Sequence, residues 1–422
     1  MSSAEGDIPR KPRLYAGAGG SRMFSQAALI ERVVDEFMLE FGAARPGNLP
    51  LTEAATSTAR LKLIRDVLDY VLGVESIQLT LDERAGLVRA VYGELFGYGP
   101  LDPLLSDPRV TSIVLAGDRH AAVRYQHGEM TRIEPLFEDS GHLRSIVDRL
   151  LADAGTELDD RDIVIECGLR VGNRPVRLGV AAPPLTPVLY ADLRLHPDQP
   201  PSLEELHDSG WMSDDGFELI RRIAASPFGF AIVGEPETGK TTLLNALLPL
   251  MGEGGLVLER ARELRPPQGV RHWGPGQSDS PENAVTFADW VRPASLVAGR
   301  FLAVDEVRGE DPDTVAPLLE PALPPRQIWV VRGVPDAKRL QSAMGMLARR
   351  AAPDQGEDAV HALYERLPFV ITLARIRERL QVFSIAEWQS RADSDYPDYV
   401  MLCRYSEGAS RPTGAQLARW LD

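Results

Sequence analysis

The feature that most constrains this chain of 422 residues is the stretch Phe230-Ala-Ile-Val-Gly-Glu-Pro-Glu-Thr-Gly-Lys-Thr-Thr-Leu-Leu-Asn-Ala-Leu247. An apolar run, a tight loop and an amphipathic segment follow one another, and G-x-x-x-x-G-K-T spans Gly234 to Thr241. That is the strand–loop–helix order in which a phosphate-binding loop occurs. Gly234 and Gly239 let the main chain wrap closely around phosphate oxygens, while loop and helix N-terminal amides point at the negative charge. Lys240 can reach the β- and γ-phosphates, and the Thr241 hydroxyl can hold Mg²⁺. The candidate nucleotide-binding residues are thus Gly234, Glu235, Pro236, Glu237, Thr238, Gly239, Lys240, Thr241 and Thr242. Two carboxylates in such a loop are unusual. Pointing outward, Glu235 and Glu237 cost little; pointing inward, they repel the nucleotide.

A chain of this length exceeds one hydrophobic core and suggests two or three domains. Its net charge, 46 − 61 = −15, disfavours a general nucleic-acid-binding role, which needs an excess of Lys and Arg to neutralise phosphates. Local basic grooves stay open as a possibility. Cys167 and Cys403 give neither zinc spacing nor a disulfide framework, and the 7 histidines show no metal spacing. A reduced, cytoplasmic compartment is therefore expected. No apolar run approaches the ~20 residues that span a bilayer, and the N-terminus lacks a signal-peptide core. A soluble protein that meets a membrane only through a partner is the expectation.

Residues 1–22 read as a loose polar tail. Three amphipathic helices follow in region 23–97. Leu29, Ile30, Val33, Val34, Phe37, Met38 and Phe41 recur at helical spacing up to Gly42. After a loop at 43–58, Ile64, Val67, Leu68, Val71 and Leu72 share one face, and a third helix opens on the capping box Thr80-Leu-Asp-Glu83. These stripes are either packing surface or a partner-binding face. Residues 98–197 read as an α+β domain, with a strand and hairpin turn at 123–128, a helix over 142–154 and strands near 163–165, 176–180 and 188–195. A linker (198–215) leads to a helix over 216–225, and the phosphate-loop domain is expected over 216–390.

"GYGPLDPLLSDPRVTSIVLAG", "CGLRVGNRPVRLGVAAPP", "ADLRLHP" and the phosphate loop occur together in this order. In that combination the chain, from about residue 25 to about 390, resembles the ATPases of the type II/type IV secretion and pilus-assembly superfamily. The spacing is most similar to the Tad (Flp) pilus-assembly branch. The resemblance implies an α/β fold: a RecA-like P-loop NTPase domain preceded by an α+β N-terminal domain with a helical bundle at its start. It implies ATP and Mg²⁺ as cofactors, a homo-oligomer in the form of a hexameric ring, and an inner-membrane platform protein as partner. It also implies N-terminal-domain arginines that reach the phosphates, here Arg170, Arg177 and Arg194. A guanidinium suits that role, being always charged and able to fork onto phosphate oxygens. Surface solubility is the alternative for Arg170 and Arg177; Arg194, between Leu193 and Leu195, fits the phosphate role better.

Two acidic motifs follow. Glu259-Arg-Ala-Arg-Glu263-Leu264 matches the family's acidic box, whose glutamate helps activate water, but Arg260 stands where the family has aspartate and reverses a charge in the site. Phe301-Leu-Ala-Val-Asp305-Glu306-Val-Arg-Gly309 sets two acids at the end of an apolar strand, where a carboxylate orients Mg²⁺ or polarises water. Lys240, Glu259 and Glu306 are thus the catalytic candidates, and Thr241, Asp305 and Glu306 the Mg²⁺ candidates, partly through water. Arg308 is placed to brace this site or an adjacent subunit. Other departures are plain. Leu296 and Ala298 replace a pair of arginines, and Val331 or a neighbour replaces a histidine, leaving Arg332 as the positive charge at that strand's end. Five prolines over 312–325 break a helix the family has. Residues 391–422 lie outside the resemblance and carry no chemical reading. The departures leave two readings of function: a hydrolysing motor subunit, or a degenerate ring subunit that binds nucleotide in a structural or regulatory role with little hydrolysis. A nucleic-acid motor is a third and weaker reading.

Overall fold

The protein divides into two units, one of Met1–Pro108, Gly117–Ala121 and Glu134–Leu150, the other of Arg109–Ala116, Ala122–Ile133 and Leu151–Asp422. The structure, a computed structural model, describes residues 14–16, 23–41, 56–126, 128–159, 163–274, 287–309, 311–320, 326–377, 379–390, 396–406, 409–419 and 421. The expectations for the polar tail (apart from residues 14–16), Gly42, nearly all of the loop over 43–58, and His127 lie outside these residues.

In the first unit, strands β1 (Leu14–Ala16) and β2 (Met23–Ser25) pair antiparallel, with Tyr15 opposite Phe24. Helices α1 (Gln26–Phe41), α2 (Ser57–Val74) and α3 (Leu81–Phe96) follow. The stripes read from sequence pack on one another: Leu29, Val33 and Phe37 of α1, Ile64, Leu68 and Val71 of α2, and Leu87, Val88 and Val91 of α3 form one buried cluster. Packing, more than propensity, stabilises such helices. Thr80 and Glu83 complete the capping box at α3, and Thr56 caps α2 through the Ala59 amide. Helices α4 (Asp102–Ser106) and α5 (Ser140–Ala154) come later in the chain, and His142 Nε2 lies 3.0 Å from Glu94 Oε2. Among the described residues no helix is long and apolar enough to cross a membrane.

The second unit holds two sheets. Strands β3 (Val110–Ala116), β4 (Ala121–Tyr125), β5 (Met130–Ile133), β6 (Val164–Val171), β7 (Arg174–Ala181) and β8 (Tyr190–Leu195) form a six-stranded sheet in the order β5-β4-β3-β8-β7-β6. Then come α6 (Leu203–Asp208), α7 (Asp214–Ala225), β9 (Phe230–Gly234), α8 (Lys240–Leu247), β10 (Leu256–Glu259), β11 (Arg271–Trp273), α9 (Phe287–Val297), β12 (Leu302–Val307), α10 (Pro312–Val315), β13 (Gln327–Arg332), α11 (Ala337–Ala351), α12 (Glu357–Arg366), β14 (Phe369–Ile376), β15 (Arg379–Gln389), β16 (Asp398–Ser406) and β17 (Ala409–Pro412). The second sheet runs β11-β10-β12-β13-β9-β14-β15-β16-β17. It is parallel from β11 to β14 and antiparallel beyond.

Residues of alternating parity in β9 enter different cores. Phe230 and Ile232 pack with Ile220 and Ile223 of α7 and Leu243 and Leu247 of α8. Ala231 and Val233 pack with Val291 of α9, Leu340 of α11 and Leu363 of α12. A sheet covered on both faces needs strands apolar throughout, which is why β9 reads as an unbroken hydrophobic run. This is the RecA-like P-loop fold, with an α+β portion before it and a helical bundle at the start of the chain, as the sequence implies.

Three segments add to the sequence reading. The stretch 198–215, expected as a linker, contains α6, capped by Ser202 and Glu205, with Leu203, Leu206 and Met212 buried in the core. Among its described residues the proline-rich segment holds the four residues of α10 and a short 3₁₀ turn at Ala316–Leu319. The C-terminal region continues the large sheet as β16 and β17 and buries Leu402, Cys403 and Leu421.

Candidate functional site

The loop between β9 and α8 is built as its sequence requires. Gly239 caps α8 at φ 84°, in the left-handed region, and a Cβ there would overlap the Trp211 ring. The Thr238 hydroxyl donates to the Glu235 carbonyl at 2.8 Å. Lys240 is buried, and its Nζ donates to the same carbonyl at 2.9 Å and lies 3.6 Å from Glu306 Oε1. Burial pushes the Lys240 pKa down, against the pull of Glu306 and Asp305.

Strand order places the acidic motif beside this loop. β13 lies between β9 and β12, and Asp305, near the end of β12, accepts a hydrogen bond from Thr241 Oγ1 at 3.1 Å. Burial, then the charges of Glu263, Glu259 and Glu306, hold the Asp305 pKa well above the usual carboxylate range, while Thr241 opposes this. A hydroxyl and a carboxylate whose charge is disfavoured by its surroundings form a donor set that suits a hard divalent cation. No group of three or more His, Cys, Asp or Glu among the described residues is arranged to hold a metal by itself. One hydroxyl and one carboxylate are the kind of protein donors Mg²⁺ takes, the rest of its shell being phosphate and water.

Residues of the six-stranded sheet meet this centre. Gly168 of β6 abuts the loop after β10: a Cβ at this position would overlap the Ala261 carbonyl oxygen. Gly168 pairs with Arg177 of β7, so the Arg177 side chain turns diagonally onto Glu166. Arg177 Nε donates to Glu166 Oε1 at 2.5 Å, and its Nη2 donates to the same oxygen. The guanidinium also lies 3.5 Å from Glu263 Oε1 and 4.0 Å from Glu306 Oε2. Arg308 Nη2 donates to Glu166 Oε2 at 2.6 Å, and its Nε is 3.5 Å from Glu306 Oε2. Burial alone would raise the Glu166 pKa; Arg177 and Arg308 outweigh it and hold the carboxylate below its ordinary value. Glu263 is likewise buried, yet His196, at 3.3 Å, with Arg177 and Arg194, brings its pKa down to about 2.

The two loop carboxylates are exposed. Glu237, at φ 62°, accepts from Arg124 Nη1 at 2.6 Å and lies 3.9 Å from Arg194 Nη2, while Arg375 donates to its carbonyl at 3.2 Å. These arginines lower its pKa against the effect of burial, Arg124 most strongly. Arg194 also lies 3.4 Å from Asp192. Arg170 is exposed and donates to the Asn173 carbonyl of its own hairpin at 3.4 Å, outside this cluster. Glu259 is only 1% exposed: the Leu264 amide reaches its oxygens at 2.9 and 3.2 Å, and His272 Nε2 is at 2.7 Å. Burial raises its pKa against these bonds.

Arg260, which the sequence sets as a reversed charge in the site, is neutralised instead. Its Nη2 donates to Asp311 at 2.6 Å, its Nε donates to the Glu306 carbonyl at 3.3 Å, and the guanidinium lies over the Phe287 ring at 4.0 Å. Arg332 is exposed at the end of β13, in register with Gly234, and Val331 is buried. Glu166, His196, Arg124, Trp211 and His272 were not singled out from sequence. His196 lies inside the quoted "ADLRLHP", and the alternation of β6 and β7 was the available signal for Glu166.

No protein-family profile matches the chain. An uncharacterized protein of Methanocaldococcus jannaschii is 25% identical over 236 residues, 55% of this chain; the match spans 42% of that relative's length. Among solved structures, the ATPase DotB of Legionella pneumophila is 17% identical, with a TM-score of 0.50, over 70% of this chain and 81% of DotB. The VirB11 ATPase of the Brucella suis type IV secretion system is 17% identical, with a TM-score of 0.33, over 68% of this chain and 95% of VirB11. The likeness to DotB is one of fold.

Proposed function

We propose that the protein is an ATP-binding, Mg²⁺-dependent ATPase subunit of a type II/type IV secretion or pilus-assembly machine, of the Tad (Flp) kind. In this reading it works as a hexameric ring on the cytoplasmic side of the inner membrane, against a platform protein, with no nucleic-acid partner. Nucleotide turnover moves the part over 98–197 against the part over 216–390. The observation that carries the reading is the 3.1 Å bond from Thr241 to Asp305, with the buried Lys240 ammonium beside it. Sequence spacing supplies the loop, and strand order supplies the carboxylate.

Bound Mg-ATP supplies the phosphoanhydride that is cleaved. The loop amides and Lys240 hold its phosphates, and Thr241 and Asp305 hold the cation. Glu306, half-buried at the strand end, orients the water. Glu259 braces the segment that carries Glu263 through the Leu264 amide. Arg177, Arg194 and Arg308 offset charge that develops on the phosphates.

A second reading rests on the burial of Glu259, which keeps that carboxylate from solvent: the subunit binds ATP and turns it over little. Phosphate release under saturating Mg-ATP separates the two. Turnover that disappears in Lys240→Ala supports the motor. Binding without release in the unaltered protein selects the second reading, and absence of both overturns the site.

A further inference from the structure

Glu166 belongs neither to the phosphate loop nor to an acidic motif, yet two guanidiniums hold it. Arg177 comes from the neighbouring strand and Arg308 from 142 residues along the chain. The Glu166 side chain keeps 33% of its exposure, so the pairs sit at the edge of the site rather than in a sealed core. Both arginines also lie within 4.0 Å of Glu306, and Glu306 lies 3.6 Å from the Lys240 ammonium. Each of these three cations has a carboxylate beside it. A carboxylate that receives two arginines presents them with the geometry and sign of a phosphate edge.

We propose that Glu166 is an internal stand-in for the nucleotide's phosphate: it occupies Arg177 and Arg308, and they must leave it before they can reach a bound polyphosphate. The inference rests on the reading that Mg-ATP binds at Lys240. Glu166 then competes with ATP for the same guanidiniums and sets nucleotide affinity without touching the nucleotide. The competition has a physical cost. A charge-assisted bond is given up for each one formed, and the released carboxylate stays close to the incoming anion.

The test is titration of the full chain with a non-hydrolysable ATP analogue and Mg²⁺. Glu166→Gln keeps the shape and removes the charge, so it is expected to tighten binding about tenfold, the worth of one charge-assisted bond. Glu166→Ala is expected to move affinity in the same direction, which guards against an effect peculiar to the amide. Arg177→Ala is expected to cost more affinity in the Glu166→Gln background than alone, because only there does the guanidinium meet phosphate without first leaving the Glu166 carboxylate. Unchanged or weaker binding in both Glu166 variants overturns the proposal and makes Glu166 a residue that orients the arginines. If Lys240→Ala abolishes binding in that case, the nucleotide site stands and only the stand-in fails. If Lys240→Ala leaves binding unchanged, the site reading itself fails.

Discussion

On the loop from Gly234 to Thr242 the groups that bear chemistry are neighbours in sequence, whereas on β6 and β7 they are brought together by strand register. Lys240 and Thr241 follow directly from a spacing that fixes a turn, a helix N-terminus and an ammonium in one place. Glu166 has no such spacing. Its partners are the residue diagonal to it across a ladder and an arginine from the far sheet. The first kind of site survives only if a few adjacent residues are kept. The second depends on Gly168, which admits the Ala261 carbonyl, and on every strand between keeping its register. A site of this composition holds its charges through contacts between elements distant in sequence, so those charges can be rearranged without unmaking the loop.

That contrast can be broken at several points. The largest effect is expected at the local element: Lys240→Ala lowers kcat/KM for ATP by roughly a hundredfold or more, since it removes a positioned donor at the phosphates. Steady-state phosphate release measures it. A near-normal rate would mean that the loop is not the active element. Next is an assembled contact in the C-terminal region. Glu387 is fully buried and accepts from Arg419 Nη1 at 2.9 Å and from the Ala418 amide at 2.8 Å. Arg419→Ala leaves that carboxylate short of its cation and is expected to cost about 2 kcal/mol, the loss for a buried pair discounted for the partly exposed arginine. Urea unfolding reads it, and an unchanged midpoint would show that the end of the chain is not integral to the sheet. The smallest effect is expected at Arg332, in register with Gly234. If it senses the terminal phosphate, Arg332→Ala slows turnover by about tenfold with affinity little changed; equal rates remove that role.

The same division explains what could be read in advance. The apolar stripes of α1 to α3, the capping box at Thr80, the phosphate loop and the strand carrying Asp305 are all local periodicities or spacings, and they appear where the sequence sets them. Helix α6 is equally legible: Ser202-Leu-Glu-Glu205 is a capping box inside the stretch expected as a linker. The pairing of Arg260 with Asp311 was not legible, because it joins the end of β10 to the start of α10, 51 residues along the chain. A motif comparison records only that aspartate became arginine. The addition of β16 and β17 likewise depends on edge pairing, of β16 with β15 and of β17 with β16, a choice that sequence alternation permits without identifying the partner.

Everything proposed for the site turns on Thr241 and Asp305, 3.1 Å apart, as the cation end of a nucleotide site. Calorimetric titration with a non-hydrolysable ATP analogue, in Mg²⁺ and again in EDTA, tests it most directly. Binding is expected to be about tenfold or more tighter with Mg²⁺, and the Mg²⁺ dependence to disappear in Thr241→Val. Binding indifferent to Mg²⁺, or a dependence untouched by Thr241→Val, would contradict it.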